Sequence, residues 1–365
     1  MTVSVLIMAG GTGGHVFPAL AVARLLAARQ VRLSWLGTRR GLEARVVPAS
    51  GLPIQMEWLA IRGLRRKGLL GWLLAPITVS LAAWQAWRAL RRQKPDVVLA
   101  FGGFVAGPGG LVAWLTRTPL VVHEQNAIPG FTNRLLAPLA DHVLSGFPGA
   151  FGELSVARHV GNPVRADIAA LPTPESRFAG HRGRLKLLVI GGSQGAAVFN
   201  EVVPATVGTL APELRPEIWH QCGRQQLARV EAAYRLGMAS VRVSEFIDDM
   251  AQAYAWADLV LCRAGAMTVA ELAAAGIPAI LVPYLHAVDD HQTANAKFLS
   301  ERGAAILIAQ GEFHPGWLRE LLLEIGANRE PLLKMALAAR ACAMPDAAEA
   351  VADICVEASG GGVHG

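Results

Sequence analysis

Two stretches decide the fold: Ser4–Leu26, SVLIMAGGTGGHVFPALAVARLL, and Lys186–Pro204, KLLVIGGSQGAAVFNEVVP. Each is an apolar run, then a glycine turn, then a stretch with helical spacing. An unbroken run of Val, Ile and Leu reads as a strand buried on both faces, and a strand that feeds through glycines into a helix opens a βαβ unit on a parallel sheet. Two such openings, set nearly half a chain apart, imply two doubly wound, Rossmann-like α/β domains.

The rest of the chain keeps the alternation expected of that class. Further strands are predicted at Val31–Leu36, Asp96–Ala100, Leu120–His123 and His142–Ser145. In the second half they fall at Glu217–Gln221, Val241–Ser244, Leu259–Cys262, Ala279–Val282 and Ala304–Ile308, with helices such as Thr268–Ala275 and Gln292–Arg302 between them. The segment Gly161–Arg184 is rich in Pro and Arg and poor in apolar runs, so it reads as the linker. It separates a domain of residues 1–163 from one of residues 164–346. The tail Gly360–Gly365 reads as disordered.

A length of 365 residues suits two domains. With 53% apolar and 17% charged residues and a mean hydropathy of +0.36, the chain is greasy for a soluble protein. That leaves a membrane protein, or an α/β protein with buried strands and an apolar docking surface. The net charge of +6 favours an anionic partner. Cys222, Cys262, Cys342 and Cys355 form no CxxC pair, and no His cluster has metal-ligand spacing, so neither a disulfide framework nor a metal site is expected. The Val3–Met8 run is too short for a signal peptide and lacks a basic flank.

Gly10, Gly11, Gly13 and Gly14 bring backbone amides to a helix N-terminus, where an anion is favoured. Gly191, Gly192 and Gly195 repeat that geometry with Ser193, and Phe101–Gly110 (FGGFVAGPGG) is a third cluster. Glycines are common at any strand-to-helix turn. Three rich loops at strand ends, where open α/β sheets bind ligands, favour a binding role. The dinucleotide fingerprint fails, because its last glycine position holds Val16 and Gly37-Thr38-Arg39-Arg40 offers no acid. An NADP enzyme could use those arginines, so an oxidoreductase stays as the alternative. Farther along, FIDDM (Phe246–Met250), RAGAMTVAE (Arg263–Glu271) and PYLHAVDDHQTAN (Pro283–Asn295) gather polar residues. Thr268 and Glu271 stand three apart at a helix start, which fits either a capping box or a ligand site.

GGTGGHVFPAL, FGGFVAGP, HEQN (His123–Asn126), GNPVR, GGSQGA and RAGAMTVAE, in this order and over nearly the whole chain, resemble the MurG family. These are N-acetylglucosaminyltransferases of peptidoglycan synthesis. The resemblance implies a glycosyltransferase B fold with a cleft between an N-terminal acceptor domain and a C-terminal donor domain. A last helix, Ala347–Ala358, would cross back to the first. It implies inverting transfer from UDP-N-acetylglucosamine to the 4-hydroxyl of undecaprenyl-linked muramyl-pentapeptide pyrophosphate. No metal or other cofactor is expected. The implied location is peripheral, on the cytoplasmic face of the bacterial inner membrane. Carried over by position, Ser193 would hold the diphosphate, Ile247 would flank the uracil, and Ala266, Met267 and Thr268 would line the phosphate and ribose. Glu271 would take the ribose hydroxyls. Gln292 would bind the sugar, and Arg165 would approach the donor from the hinge. The family pattern has a second Gln where this chain has His291, which departs from it at a sugar contact.

For the proton of the attacking hydroxyl, His15 is the first candidate base, since imidazole titrates near working pH. Orienting substrate or neutralising diphosphate is the competing role for it. Glu124 is the second candidate, with bonding of loop amides as its structural alternative. Asn126 would position the acceptor sugar and Thr12 its pyrophosphate, with Gly13 and Gly14 in the same loop. Asp248-Asp249 and Asp289-Asp290 are adjacent pairs and do not form a DxD metal motif.

Between Arg62 and Lys94 there is no acid. Arg62, Arg65, Arg66, Lys67, Arg88, Arg91, Arg92 and Lys94 flank the uncharged stretch Leu69–Trp87, about long enough to span a bilayer. Gly71, Pro76, Thr78, Ser80 and Gln85 interrupt it, and a buried strand follows at once, so a surface patch is the reading. Leu69, Trp72 and Leu73 would sink among headgroups while the basic rim meets an anionic membrane surface. No interleaved nucleic-acid motif is present, so nucleic acid is not an expected partner. A nucleotide-sugar epimerase and a non-catalytic UDP-sugar-binding membrane protein complete the alternatives.

Overall fold

The computed structural model describes residues 2–60, 75–152, 157–179, 183–192, 195–234, 240–285 and 290–360. The chain divides into two units, Met1–Arg165 with Met344–Gly365, and Ala166–Ala343. In the first, β1 (Ser4–Ala9), β2 (Arg32–Gly37), β3 (Ile54–Trp58), β4 (Val97–Gly102), β5 (Leu120–Glu124), β6 (His142–Ser145) and β7 (Ala157–His159) form a parallel sheet. Its order is β3-β2-β1-β4-β5-β6-β7. In the second, β8 (Lys186–Ile190), β9 (Glu217–Gln221), β10 (Val241–Ser244), β11 (Leu259–Cys262), β12 (Ala279–Leu281) and β13 (Ala305–Leu307) follow the order β10-β9-β8-β11-β12-β13, again parallel. Each order runs outward from its own first strand in both directions, which creates a switch point beside that strand.

Strand pleating explains the two-sided cores, because alternate residues face opposite layers. Val5, Ile7, Leu33, Trp35, Leu99 and Phe101 pack toward the helices Gly13–Ala28 and Ala347–Ala358. Leu6, Met8, Leu36, Val98 and Ala100 pack toward Ala75–Gln93 and Ala106–Leu115. The Ala347–Ala358 helix lies on the Gly13–Ala28 helix, burying Val351, Ile354 and Cys355. In the second unit, Leu187, Val189, Leu259 and Leu261 meet Phe199 and Val203 of the Ala197–Gly208 helix.

The division between the units, at Arg165 and Ala166, falls inside the segment Gly161–Arg184, which is also partly helical. It holds the short helices Ala166–Ala169 and Pro174–Ala179, both packed on the second unit. Arg177 fastens the latter by donating to the carbonyls of Ala275 (3.0 Å) and Gly276, which end the Ala266–Ala275 helix. Edge strands β3 and β7 were not expected. Their residues, IQMEW and ARH, alternate polar with apolar or are largely polar, and lack the continuous run of a central strand.

Candidate functional site

Each unit carries a polar cluster at its own switch point. In the first, the loops after β1 and β4 leave the sheet side by side. The β1–β4 register slips between Met8 and Ala9, so Ala9 pairs with Gly102 and Phe101 is the extra residue. Gly102 takes φ +103°, open in practice only to glycine. A Cβ there would stand 3.2 Å from the Asn133 amide and 3.3 Å from His15 Cδ2. The FGGF loop, Asn133 and the first glycine loop therefore meet at Gly102.

Thr12 precedes the Gly13–Ala28 helix in extended conformation and makes no side-chain capping bond. Its Oγ1 lies 3.4 Å from Nδ1 of His15, in the first turn. Gly13, Gly14 and His15 are half-buried and Thr12 is exposed. Burial pushes the His15 imidazole below its ordinary range, against the opposing pull of Glu124, the Gly10 carbonyl and Glu43. The ring thus favours the neutral form, with two carboxylates placed to stabilise the cation it becomes on taking a proton.

The end of β5 is an interlocked turn. His123 is unexposed, with Nε2 2.9 Å from the Gly161 carbonyl and Nδ1 3.0 Å from the Gln125 amide nitrogen. Asn162 Nδ2 donates to the Gln125 carbonyl, so HEQN and GNP hold each other. Glu124 accepts from the Asn126 backbone (2.8 Å) and side-chain amides (3.0 Å) on Oε1, and from Gly130 N and Asn133 Nδ2, both 2.9 Å, on Oε2. These four bonds fill the roughly four acceptor sites of a carboxylate. These bonds are the structural alternative named for Glu124: it builds the loop that places Asn126. Arg165 also belongs to this unit, its guanidinium 5.9 Å from the Phe17 ring centroid.

In the second unit the loops after β8 and β11 flank the equivalent switch point. Ser193 lies outside the described residues. Gly195 has φ +73°, and a Cβ there would strike the Cys222 carbonyl, so the turn is sealed against the end of β9. Asn200 Nδ2 donates to that same carbonyl at 3.0 Å. After β11, Arg263 donates to the carbonyls of Val282 and Pro283 (3.0 and 3.1 Å), tying the ends of β11 and β12 together.

The helix carrying Ala266, Met267, Thr268 and Glu271 starts at Ala266, with Gly265 as its N-cap and no side-chain capping bond. Thr268 is the third helical residue, not the cap. The capping box is thereby overturned, and Glu271 has another partner, accepting from the Tyr254 hydroxyl at 3.1 Å. Ala266 is buried, while Met267, Thr268 and Glu271 are half-buried. Ile247 is buried in the turn before the Met250–Trp256 helix, which Asp249 caps through Gln252 N (2.8 Å). Gln292 spends its carbonyl on the Tyr284 backbone amide (2.9 Å), leaving its NH2 group as the donor to offer. His291 begins the His291–Ser300 helix beside it.

Sequence reasoning assigned no role to Asn133, Tyr254 or Glu43. Asn133 stands ten residues after His123, and only the fold shows that it faces Glu124. Tyr254 had a weak signal as a buried hydroxyl on the helix after FIDDM. Glu43 had none, since an acid is expected at the surface unless its partners are known.

On the first unit's surface, Ile77, Leu81, Trp84 and Trp87 are exposed on the Ala75–Gln93 helix, and Leu111, Trp114 and Leu115 on the neighbouring Ala106–Leu115 helix. Arg88 and Arg91 stack on Trp84 and Trp87, 4.9 and 5.4 Å from the ring centroids. Leu69, Trp72 and Leu73 lie outside the described residues. Among the described residues no helix is long and apolar enough to cross a membrane. No three His, Cys, Asp or Glu side chains group as a metal site among them either.

Comparison with known proteins agrees with this geometry. Residues 5–145 match the glycosyltransferase family 28 N-terminal domain, and residues 186–351 match the C-terminal domain of the same family. A Nitrosococcus oceani protein is 54% identical over 99% of this chain and 100% of its own length. It is a UDP-N-acetylglucosamine--N-acetylmuramyl-(pentapeptide) pyrophosphoryl-undecaprenol N-acetylglucosamine transferase. The crystal structure of Acinetobacter baumannii MurG superposes with a TM-score of 0.82 at 40% identity, covering 97% of this chain and 99% of that one. A Neisseria meningitidis UDP-GlcNAc 2-epimerase shares the fold, with a TM-score of 0.68 at 14% identity over 98% and 100% of the two chains. The two parallel Rossmann-like sheets are those of the glycosyltransferase B fold.

Proposed function

This chain belongs to the MurG family of N-acetylglucosaminyltransferases, and from that premise we propose how its residues carry the family's reaction. The enzyme transfers N-acetylglucosamine from UDP-N-acetylglucosamine to the lipid-linked muramyl pentapeptide. The observation that carries the chemistry is His15: a half-buried imidazole, kept neutral by burial and backed by two carboxylates, in the first turn of the helix at a switch point. With Nδ1 turned to the Thr12 hydroxyl, Nε2 is the nitrogen left to act. The 4-hydroxyl oxygen of the acceptor attacks the anomeric carbon from the face opposite the leaving group and forms the new C–O bond. Its proton passes to Nε2 of His15. The old C–O bond breaks, its electron pair leaves with the UDP diphosphate, and the configuration inverts.

Asn126, held by Glu124, positions the acceptor sugar, and Thr12 with the amides of Gly13 and Gly14 takes the acceptor pyrophosphate. In the second unit, the N-termini of the Ala197–Gly208 and Ala266–Ala275 helices supply positive dipole ends for the departing diphosphate. Ser193 and Thr268 add hydroxyls there, beside Ala266 and Met267. Ile247 flanks the uracil. Glu271, which accepts from the Tyr254 hydroxyl, takes the ribose hydroxyls. The Gln292 amide and His291 reach the transferred sugar, and Arg165 the donor phosphates. The exposed Trp, Ile and Leu side chains with Arg88, Arg91, Arg92 and Lys94 around them dock on anionic lipid, keeping the enzyme peripheral on the cytoplasmic face of the inner membrane.

The test is direct. Purified protein, UDP-N-acetylglucosamine and a short-chain muramyl pyrophosphoryl lipid are incubated and the lipid is weighed by mass spectrometry. A gain of one N-acetylhexosamine is expected. A folded protein that binds UDP yet leaves the lipid unchanged would sink the assignment.

A further inference from the structure

Glu43 is unexposed, and the mechanism above does not call on it. It opens the Glu43–Ala49 helix after β2, and its carboxylate turns back under the first glycine loop. Oε1 accepts from Thr38 N (2.8 Å) and Thr38 Oγ1 (2.9 Å), and Oε2 accepts from the Gly11 amide (3.1 Å). Among the described residues it has no salt-bridge partner. An ionised carboxylate fully out of water with only neutral donors is costly, and an amide or an apolar residue would relieve that cost if the position served packing alone.

The surroundings are shaped to admit it. A Cβ on Gly10 would lie 2.9 Å from Oε1, and one on Gly37 would lie 2.7 Å from Cγ. A Cβ on Gly41 would collide with the carboxylate oxygens themselves. Neither Gly10, Gly37 nor Gly41 has a positive φ, so these glycines are required by space, not by backbone conformation. Gly10 of the GGTGG run thus makes room for Glu43. The acid holds the amide of Gly11, four residues before His15.

We propose that Glu43 is a positioning residue for the transfer reaction. Its buried carboxylate pins the Gly11 amide, fixes the glycine loop that presents His15, and supplies standing negative charge to the imidazolium formed when His15 takes the acceptor proton. This rests on His15 as the base. The titratable groups acting on His15 are Glu124, at the end of β5, and Glu43, and both favour its protonated form. The first turn of its own helix carries no acid. Glu124 is already committed to four donors in its loop, whereas Glu43 bonds the His15 loop itself.

Glu43→Gln removes the charge while nearly keeping the shape. The variant, with UDP-N-acetylglucosamine and the short-chain acceptor, is expected to lose at least about tenfold in kcat with KM for the nucleotide sugar unchanged. The His15 titration midpoint, read by NMR of ring-labelled histidine and assigned with His15→Gln, is expected to fall by about half a unit or more. The rising limb of the kcat–pH profile should move to lower pH with it. An unchanged midpoint overturns the proposal. If Glu43→Gln does not fold, Glu43→Asp keeps the charge but withdraws it from Gly11 by one methylene. Its kcat should fall, and a wild-type kcat in that variant also overturns the proposal. The midpoint is read without turnover, so it judges the Glu43–His15 coupling even if His15→Gln proves fully active and the base assignment itself fails.

Discussion

Acidification should weaken the first unit through His123 by about 2 kcal/mol at about pH 5 and about 3 kcal/mol at about pH 4. Both ring nitrogens are occupied, Nε2 at the Gly161 carbonyl and Nδ1 at the Gln125 amide, so a second proton would confront a donor at a side chain with no solvent exposure. Burial lowers this imidazole from 6.5 to about 4, with His159 acting in the same direction. The unfolded chain takes up its proton near 6.5 and the folded chain only near 4. Between those values the unfolded state binds more protons, and stability falls as pH falls. Urea unfolding of wild type and His123→Gln, at several pH values from about 7.5 to about 4.5, isolates the effect. The substitution keeps a donor for the Gly161 carbonyl but cannot titrate. The stability gap between the two proteins should narrow by about 2 kcal/mol on going from neutral pH to about pH 5. His220 in the second unit, lowered to about 3, has the same sign but is common to both proteins and cancels. A gap that stays constant with pH would refute the reasoning.

Two further outcomes follow from the donor cluster and the surface patch. Tyr254→Phe removes the hydroxyl 3.1 Å from Glu271, and a hydrogen bond to a charged group contributes about 1.5 kcal/mol, so calorimetry should show UDP-N-acetylglucosamine binding about tenfold weaker. An unchanged Kd would take the Tyr254–Glu271 pair out of the donor site. Trp84→Glu combined with Trp114→Glu places carboxylates on two exposed rings of the patch, and the variant should no longer sediment with anionic vesicles while its thermal unfolding stays near wild type. Vesicle binding that persists moves the docking surface elsewhere.

The central strands β1, β4 and β11 were legible because they are buried on both faces and so are almost wholly apolar. His142–Ser145, Glu217–Gln221, Val241–Ser244 and Leu259–Cys262 occur with the bounds their patterns predict. Edge strands obey a weaker rule. Glu57 in β3 is held by Arg92 and Gln93 from another element, and nothing local announces that. The helices at Ala166–Ala169 and Pro174–Ala179 were illegible for a related reason. They bury little beyond Ile168 and Pro174, and Arg177 anchors the second to carbonyls about a hundred positions along the chain. Among site residues, motif position located the loops but not the hydrogen bonds. A cap at Thr268 stood open beside a ligand role because a glycine N-cap such as Gly265 leaves no side-chain signature. The bonding of Glu124 to its own loop was legible as an alternative role, whereas Glu43 was beyond the sequence, since the Gly11 amide it holds belongs to a loop 32 positions away.

The central claim is that His15, at the switch point of the first unit, takes the proton of the attacking hydroxyl. Steady-state kinetics of His15→Gln against wild type, with UDP-N-acetylglucosamine and the short-chain acceptor, tests it most directly. General-base catalysis is worth about 10²–10⁴ in rate, so kcat should fall by that factor while KM for the nucleotide sugar stays within about twofold. A variant that turns over at the wild-type rate would contradict the account and leave His15 with no part in proton transfer.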